Sequence, residues 1–295
     1  MKLLFDVGGT EIKAAALDEN GEMIGSIKHF DADSNAECDI VFDNMAAVIR
    51  SFTNTMGEYP TALGMAFPGP FDYENGISLI KGLGKYENIY GKSVPEEMVK
   101  RIPKLSDRPF YFLHDVESFA LGAYYKGESR GKGKTMFVCI GTGTGTAFIK
   151  DGIVLKNEED GSPKDGWIYE HPFKEGKIDE YISVRGLKRI AKKVTDKALT
   201  GLEIFNMCAA GDEKGLEIYR LFGSDVREAL EPYILSFRPD RIVFGGQISK
   251  SFCYFGEQVK ALCAEKGVET EIITDTSLMA VNGLYMHIIR RTEGK

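Results

Sequence analysis

The chain has 295 residues, 43% hydrophobic and 27% charged, with a formal net charge of −7. That length suggests two domains, each large enough for its own core. The acidic balance argues against a nucleic-acid partner, and no apolar run is long enough to span a bilayer.

The first residues, "KLLFDVGGTEIKAAALDENG", read as a hairpin. Leu3, Leu4 and Phe5 are strand-like, Gly8-Gly9 supplies positive φ for a turn, and Ile12 to Leu17 return. Entry into a strand at once, without a basic n-region or apolar h-region, gives no expectation of a signal peptide. "DENGEMIGSIKHF" continues as a turn and strand. Residues 36–57 carry Ile40, Val41, Met45, Val48, Ile49 and Phe52 at helical spacing. "TALGMAFPGPFD" is a buried strand ending at Pro68-Gly69-Pro70. Asp72 to Lys104 is rich in turns and reads as a surface crossing. "FYFLHD" is a short strand, and "VESFALGAYYKG" a helix. The stretch "KGESRGKGK" reads as an exposed loop at the domain seam.

"KTMFVCIGTGTGTAFIKDG" repeats the opening in kind. Val7-Gly8-Gly9-Thr10 lies over Ile140-Gly141-Thr142-Gly143, and Asp18 over Asp151. Two copies of one glycine-bearing hairpin suggest duplicated α/β halves. The chain then runs mainly helical from about Asp179 to Leu235. "DRIVFGGQIS" is a strand ending in Gly245-Gly246. A helix from Phe252 to Lys266, a strand at "VETEII" and a closing helix follow. The five cysteines are scattered, with no C-x-x-C pair, so neither a disulfide framework nor a zinc knuckle is indicated. A reducing cytoplasm fits that usage.

Three features bear on chemistry. Tight glycine turns let backbone N–H groups approach phosphate oxygens, and a threonine hydroxyl adds a donor. Two such turns could grip a triphosphate. Asp6, just before the first, suits Mg²⁺ held through water, or it merely caps a turn. Asp115 ends a strand and starts a helix, where ligands gather in open α/β sheets. It could accept the proton of a hydroxyl attacking a γ-phosphate, or merely N-cap the helix. In "GWIYEHPFKEGKIDEYIS", Glu170, His171 and Asp179 are polar groups near the single tryptophan. They could discriminate hydroxyl positions of a polyol, or lie in a solvated loop.

Taken together, "FDVGGTEIK", "GMAFPGPFD", "HDVESFALGA", "IGTGTGTAFIKDG", "YEHPFKEGKIDEYIS" and "RIVFGGQIS" resemble, in order and spacing, the ROK family. That family comprises repressors, unassigned reading frames and sugar kinases within the hexokinase/actin-like ATPase superfamily. The resemblance implies an α/β, two-domain actin-like ATPase (ribonuclease H-like) fold with duplicated halves and a cleft between them. It places a smaller domain at 1–113, with the final helix (276–291) packed back on it, and a larger domain at 114–275. It implies ATP and Mg²⁺ as cofactors and a sugar as the small-molecule partner. Nucleic acid and membrane are not expected, and a homodimer is left open. Asp6, Gly8, Gly9, Thr10 and Lys13 match the first phosphate motif, and Thr142 and Gly143 the second. Gly245, Gly246 and Gln247 match the adenosine-contacting stretch. Asp115 matches the catalytic base. Gly69 matches the turn that edges the sugar pocket. His171 and Asp179 match sugar-hydroxyl ligands, Asp179 standing where the family usually has Glu.

Some positions depart from the family. Many members carry a C-x-C-G-x-x-G-C zinc motif after the histidine. Here "PFKEGKID" has no cysteine, so no structural zinc is expected. The family's G-E-I-G-H becomes "WIYEH", with its sugar-binding Glu replaced by Ile168 or displaced to Glu170. His114 and Glu117 stand where the family has asparagines, on the sugar side. The expected activity is transfer of the γ-phosphoryl group of ATP to a hydroxyl of a hexose or hexose derivative. The alternative within the family is a sugar-binding sensor or pseudokinase without turnover. A repressor would carry a helix-turn-helix before the first hairpin and is disfavoured by the acidic charge. An actin-like ATPase working on a partner would hydrolyse ATP without sugar dependence.

Overall fold

The computed structural model describes residues 1–126 and 133–294, the side chain of residue 293 apart. The chain divides into two units, Met1–Glu128 with Ser277–Lys295, and Ser129–Thr276. The stretch 127–132, within the loop expected at the seam, lies outside the described residues.

The first unit opens with β1 (Lys2–Val7), β2 (Glu11–Leu17) and β3 (Met23–Asp31), a meander of antiparallel strands. α1 (Cys38–Met56) follows, its apolar residues at 3.6 spacing buried on one side, and it ends at Gly57 with φ +74°. β4 (Ala62–Phe67) is buried at every position, as suits a strand with parallel neighbours on both sides. β5 (Phe71–Asp72) and β6 (Ile77–Ser78) form a small hairpin, and α2 (Val94–Arg101) lies within the stretch the sequence reads as rich in turns. β7 (Phe110–His114) runs directly into α3 (Asp115–Lys126). The sheet order is β3-β2-β1-β4-β7.

The second unit repeats this plan. β8 (Lys134–Ile140), β9 (Thr144–Lys150) and β10 (Ile153–Val154) are antiparallel, and the ribbon β11 (Pro172–Phe173) and β12 (Gly176–Lys177) stands apart from the sheet. Helices α4 (Ile178–Tyr181), α5 (Val184–Thr195), α6 (Gly201–Ala209) and α7 (Glu213–Phe237) come next. β13 (Arg241–Gly245), α8 (Phe252–Phe255), α9 (Glu257–Glu265) and β14 (Glu269–Ile272) complete the unit. Its sheet order is β10-β9-β8-β13-β14, with β13 parallel to both neighbours. Each sheet therefore has three antiparallel strands followed by two added in parallel, which is the duplication the two hairpins foreshadow. α10 (Thr276–Glu293) then returns the chain to the first unit.

Each unit has its own apolar core. In the first, Leu3, Phe5, Ile12, Phe42, Ile49, Met65 and Phe112 pack together. In the second, Met136, Val138, Phe148, Ile218, Phe222, Val226 and Phe244 do so. Two corrections to the sequence expectations follow. The division falls after residue 128 rather than 113, so β7 and α3, with His114, Asp115 and Glu117, belong to the first unit. The two units are also similar in size, not small and large.

Within the first unit α3 and α10 cross at two glycines. A Cβ on Gly122 would lie 1.8 Å from Met279 O, and one on Gly283 would lie 1.8 Å from Ser118 O. Only glycine allows so close an approach. Ser118 Oγ donates to Ala280 O at 2.7 Å across the same contact. This crossing sets where the first residues of both helices meet the sheet. Among the described residues no helix is long and apolar enough to cross a membrane.

Candidate active site

The first glycine turn is built differently from the sequence expectation. Neither Gly8 nor Gly9 has a positive φ. Glycine is required at Gly8, where a Cβ would sit 2.8 Å from Glu11 O, whereas one on Gly9 would meet only the Lys85 side chain, at 3.1 Å from Cδ. The turn's carbonyls are held from three sides. Tyr86 Oη donates to Gly8 O at 2.8 Å, Ser34 Oγ to Gly9 O, and Ala32 N to Thr10 O at 3.1 Å. Thr10 itself is exposed. Tyr86 is fully buried, and burial pushes its phenol well above the usual range, so it remains a donor.

Asp6 sits in β1 opposite Lys13 of β2. Its Oδ2 accepts from Ser277 Oγ at 2.7 Å, and that hydroxyl accepts from Lys13 Nζ at 2.8 Å. Burial raises the Asp6 carboxyl above its ordinary value of 3.8; the Ser277 hydrogen bond opposes the rise, and the charge of Asp115 adds to it. Asp6 and Asp115 are therefore close enough to repel. Two such carboxylates suit a hard divalent cation that keeps waters and completes its shell with phosphate oxygens. Among the described residues no group of three His, Cys, Asp or Glu side chains could by itself hold a metal.

Asp115 is the first residue of α3, and its side chain is 38% exposed. Oδ1 accepts from Val116 N at 2.7 Å and lies 3.2 Å from His114 Nδ1. The residue thus serves the helix start and also faces outward, so capping and chemistry are not alternatives here. A Cβ on Gly69 would meet Tyr73 Oη at 3.2 Å and His114 Cδ2 at 3.4 Å. The first unit therefore brings Gly69, Tyr73, His114 and Asp115 together. Glu117 is different: its side chain is buried, at 4% exposure.

In the second unit Gly141 N donates to Gly143 O at 2.9 Å, closing the second turn, and Thr142 is exposed. Gly246, at φ +90°, packs against it: a Cβ there would lie 2.4 Å from Ile140 O. The Gly245-Gly246 strand end and the second turn are thus neighbours, with Gln247 exposed beside them. Thr144 N donates to Asp179 Oδ1 at 2.7 Å, and Asp179 Oδ2 pairs with Arg185. His171 Nδ1 lies 2.6 Å from Tyr233 Oη. Burial pushes the Tyr233 phenol up to about 12. Glu170 is exposed and paired with Lys177 at 3.4 Å, whereas Ile168 is a core residue.

Several groups in these sites are not evident from sequence. Ser277 is 271 positions from Asp6, and Ser34, Tyr86, Tyr233 and Arg185 belong to no motif read above. A hydroxyl or guanidinium acting on a motif from a distant segment leaves no local spacing signal.

The ROK family model matches residues 3–282. A glucokinase from Thermotoga maritima is 22% identical over 83% of this chain and 81% of its own length. An N-acetyl-D-glucosamine kinase from Photobacterium profundum is 24% identical over 88% of each. The structure of a ROK family glucokinase from Streptomyces griseus, in complex with glucose and AMPPNP, superimposes with a TM-score of 0.74 at 16% identity, covering 96% of this chain and 97% of that one. The backbone carries the actin-like ATPase fold of the ROK sugar kinases. With nearly the whole of its length matched in motif order, the chain belongs to the ROK family.

Proposed function

We propose that the chain is an ATP-dependent sugar kinase that transfers the γ-phosphoryl group to a hydroxyl of a hexose or hexose derivative. The observation that carries this reading is Asp115: an outward-facing carboxylate at a strand end, within repulsive range of Asp6. Its contacts with Val116 N and His114 Nδ1 both fall on Oδ1, so proton acceptance is assigned to Oδ2. The sugar oxygen forms its bond to the γ-phosphorus as its proton passes to Asp115, and the bond to the β–γ bridging oxygen breaks, releasing ADP. Mg²⁺, held by Asp6 through water, would neutralise charge on the phosphates. Lys13 and the turn at Gly8, Gly9 and Thr10 would position phosphate, as would Thr142 and Gly143. Gly245, Gly246 and Gln247 are assigned to the adenosine. Positioning and charge stabilisation supply most of the catalysis in such transfers.

On the sugar side, His171 would hydrogen-bond a hydroxyl through Nε2, with Glu170, His114 and Gly69 as further contacts. Glu117, which is buried, would contribute to the same side, as its place in the matched motif implies. Asp179 Oδ1 and Oδ2 have one partner each, and a carboxylate oxygen can take two, so Asp179 would accept from a further hydroxyl. Relatives named for glucose and N-acetylglucosamine put aldohexoses and their N-acetyl derivatives first among substrates to try.

The test is ADP release with Mg²⁺-ATP across hexoses, N-acetylhexosamines, ketohexoses and polyols. One sugar should raise it sharply above the basal rate. Sugar binding with no rise in ADP release would replace this reading with the sensor. Hydrolysis indifferent to every sugar would favour a partner-directed ATPase.

A further inference from the structure

Between β6 and α2 the chain comes back to the first glycine turn at Lys85 and Tyr86, in a segment that no motif marks. Tyr86 is pinned there at both ends. Its N–H donates to Ser34 O at 2.7 Å and its Oη to Gly8 O at 2.8 Å, while Ser34 Oγ donates to Gly9 O. Its backbone is left-handed, at φ +55°, which a bulky residue adopts only where its surroundings hold it. The pinned tyrosine places the residue before it. The Lys85 stem lies across Gly9, where a Cβ would meet Lys85 Cδ at 3.1 Å and Lys85 Cβ at 3.9 Å. The ammonium is two bonds beyond that Cδ, so it stays beside the turn whichever way the last bond is rotated.

The charges around the turn leave this ammonium uncommitted. Lys13, the lysine of the motif, donates to Ser277 Oγ at 2.8 Å and lies 3.8 Å from Glu11 Oε2. Lys85 Nζ has no hydrogen bond and no ion pair among the described residues. Asp115 and Glu11 are both close enough to repel Asp6, and the same carboxylates repel phosphate. A further cation at the turn offsets that repulsion.

We propose that Lys85 is a phosphate-binding residue of the first glycine turn, its ammonium contacting the terminal phosphoryl group of a nucleoside triphosphate. The terminal group is assigned because the turn directly follows Asp6 and Val7. Asp6 lies within repulsive range of Asp115, the carboxylate that must stand by the oxygen attacking that phosphorus. The inference rests on the kinase reading and adds to it a residue outside the matched motifs.

The test is calorimetric titration of AMPPNP, and separately of ADP, each with Mg²⁺, into wild type, Lys85→Met, Lys85→Arg and Lys92→Met. Lys85→Met keeps a stem on Gly9 and removes the charge. It should weaken AMPPNP about tenfold or more and ADP by no more than about twofold. Lys85→Arg keeps the charge and should hold AMPPNP within about threefold of wild type. Lys92 is exposed in the same segment and controls for net charge; Lys92→Met should change neither ligand by more than about twofold. Unchanged AMPPNP binding in Lys85→Met overturns the inference. So does an equal loss of ADP, an equal loss in Lys92→Met, or a loss in Lys85→Arg as large as in Lys85→Met. A wild-type chain that binds no AMPPNP overturns the kinase reading and this inference together. One that shows the Lys85 pattern yet releases no ADP with any sugar overturns the kinase reading alone.

Discussion

Asp115 and Asp6 are carboxylates of one unit held in opposite ways. Asp115 is outward-facing and lightly held; Asp6 is buried behind Ser277 and Lys13. Removing the proton acceptor while keeping shape, Asp115→Asn should cut turnover by about two orders of magnitude or more with sugar affinity kept. Near-normal turnover would leave Asp115 as a helix start only. For Asp6 the sign runs the other way from a usual paired carboxylate. Burial raises its folded-state value above 3.8, so its contribution to stability is present below the ordinary carboxylate range and is lost as pH rises through the raised value. Asp6→Asn should therefore melt a few degrees higher than wild type at neutral pH, with the gap closing in acid. The same variant should gain no thermal stabilisation from Mg²⁺-ATP, whereas wild type should. A variant that melts lower at pH 7 would show the Ser277 and Lys13 bonds outweighing burial. Both carboxylates are legible in the sequence, because each abuts a glycine turn or a strand end. Ser277, Ser34 and Tyr86 are not, because each acts on a motif from elsewhere in the chain.

Most elements follow from apolar periodicity: α1, β4, β7 and the two glycine hairpins need no tertiary information. α2 escapes that reading because it is short and sits among turns, although Ser93, Pro95 and Glu96 form a helix-start signal. The helix expected over 252–266 breaks at Gly256, where a Cβ would lie 2.3 Å from Phe252 Cε1. The β11–β12 ribbon is the least legible element and has only two residues in each strand, too little pairing to stand alone. Its anchor is Lys174 in the turn, which meets Asp225 Oδ1 at 2.5 Å and Glu228 Oε2 at 2.9 Å on α7 and lies over the Phe173 ring. Asp225 is 12% exposed, so removing Lys174 leaves a carboxylate facing Arg189 at 3.4 Å. Lys174→Met should cost about 1–3 kcal/mol and lower the Tm by several degrees. It should also raise the sugar KM more than it lowers kcat, because the ribbon lies between His171 and Asp179. Lys174→Arg should restore both. An unchanged Tm and sugar KM in Lys174→Met would show the ribbon to be held without this ion pair.

At the scale of the molecule, the duplication is legible because both hairpins recur with the same strand–turn–strand pattern, and both sheets then take the same order. The division between units is not legible from Leu113, because the end of β7 looks like any strand end. What keeps α3 with the first unit is its glycine crossing with α10, a contact between segments about 160 residues apart. Stability of the whole rests on two apolar cores. The ribbon in place of the cysteine motif is held by a lysine and two carboxylates. Zinc in a structural site takes thiolate or imidazole ligands in a closed set of four, and among the described residues no group of three His, Cys, Asp or Glu side chains could hold a metal ion. Folding and catalysis should therefore separate under chelation. EDTA should leave the Tm of the unliganded protein unchanged and abolish sugar-dependent ADP release. Added Mg²⁺ should restore that release, while a trace of Zn²⁺ should not. Elemental analysis of the purified protein should find no stoichiometric zinc. One zinc per chain, or a Tm that falls with EDTA, would mean that a metal holds part of this fold.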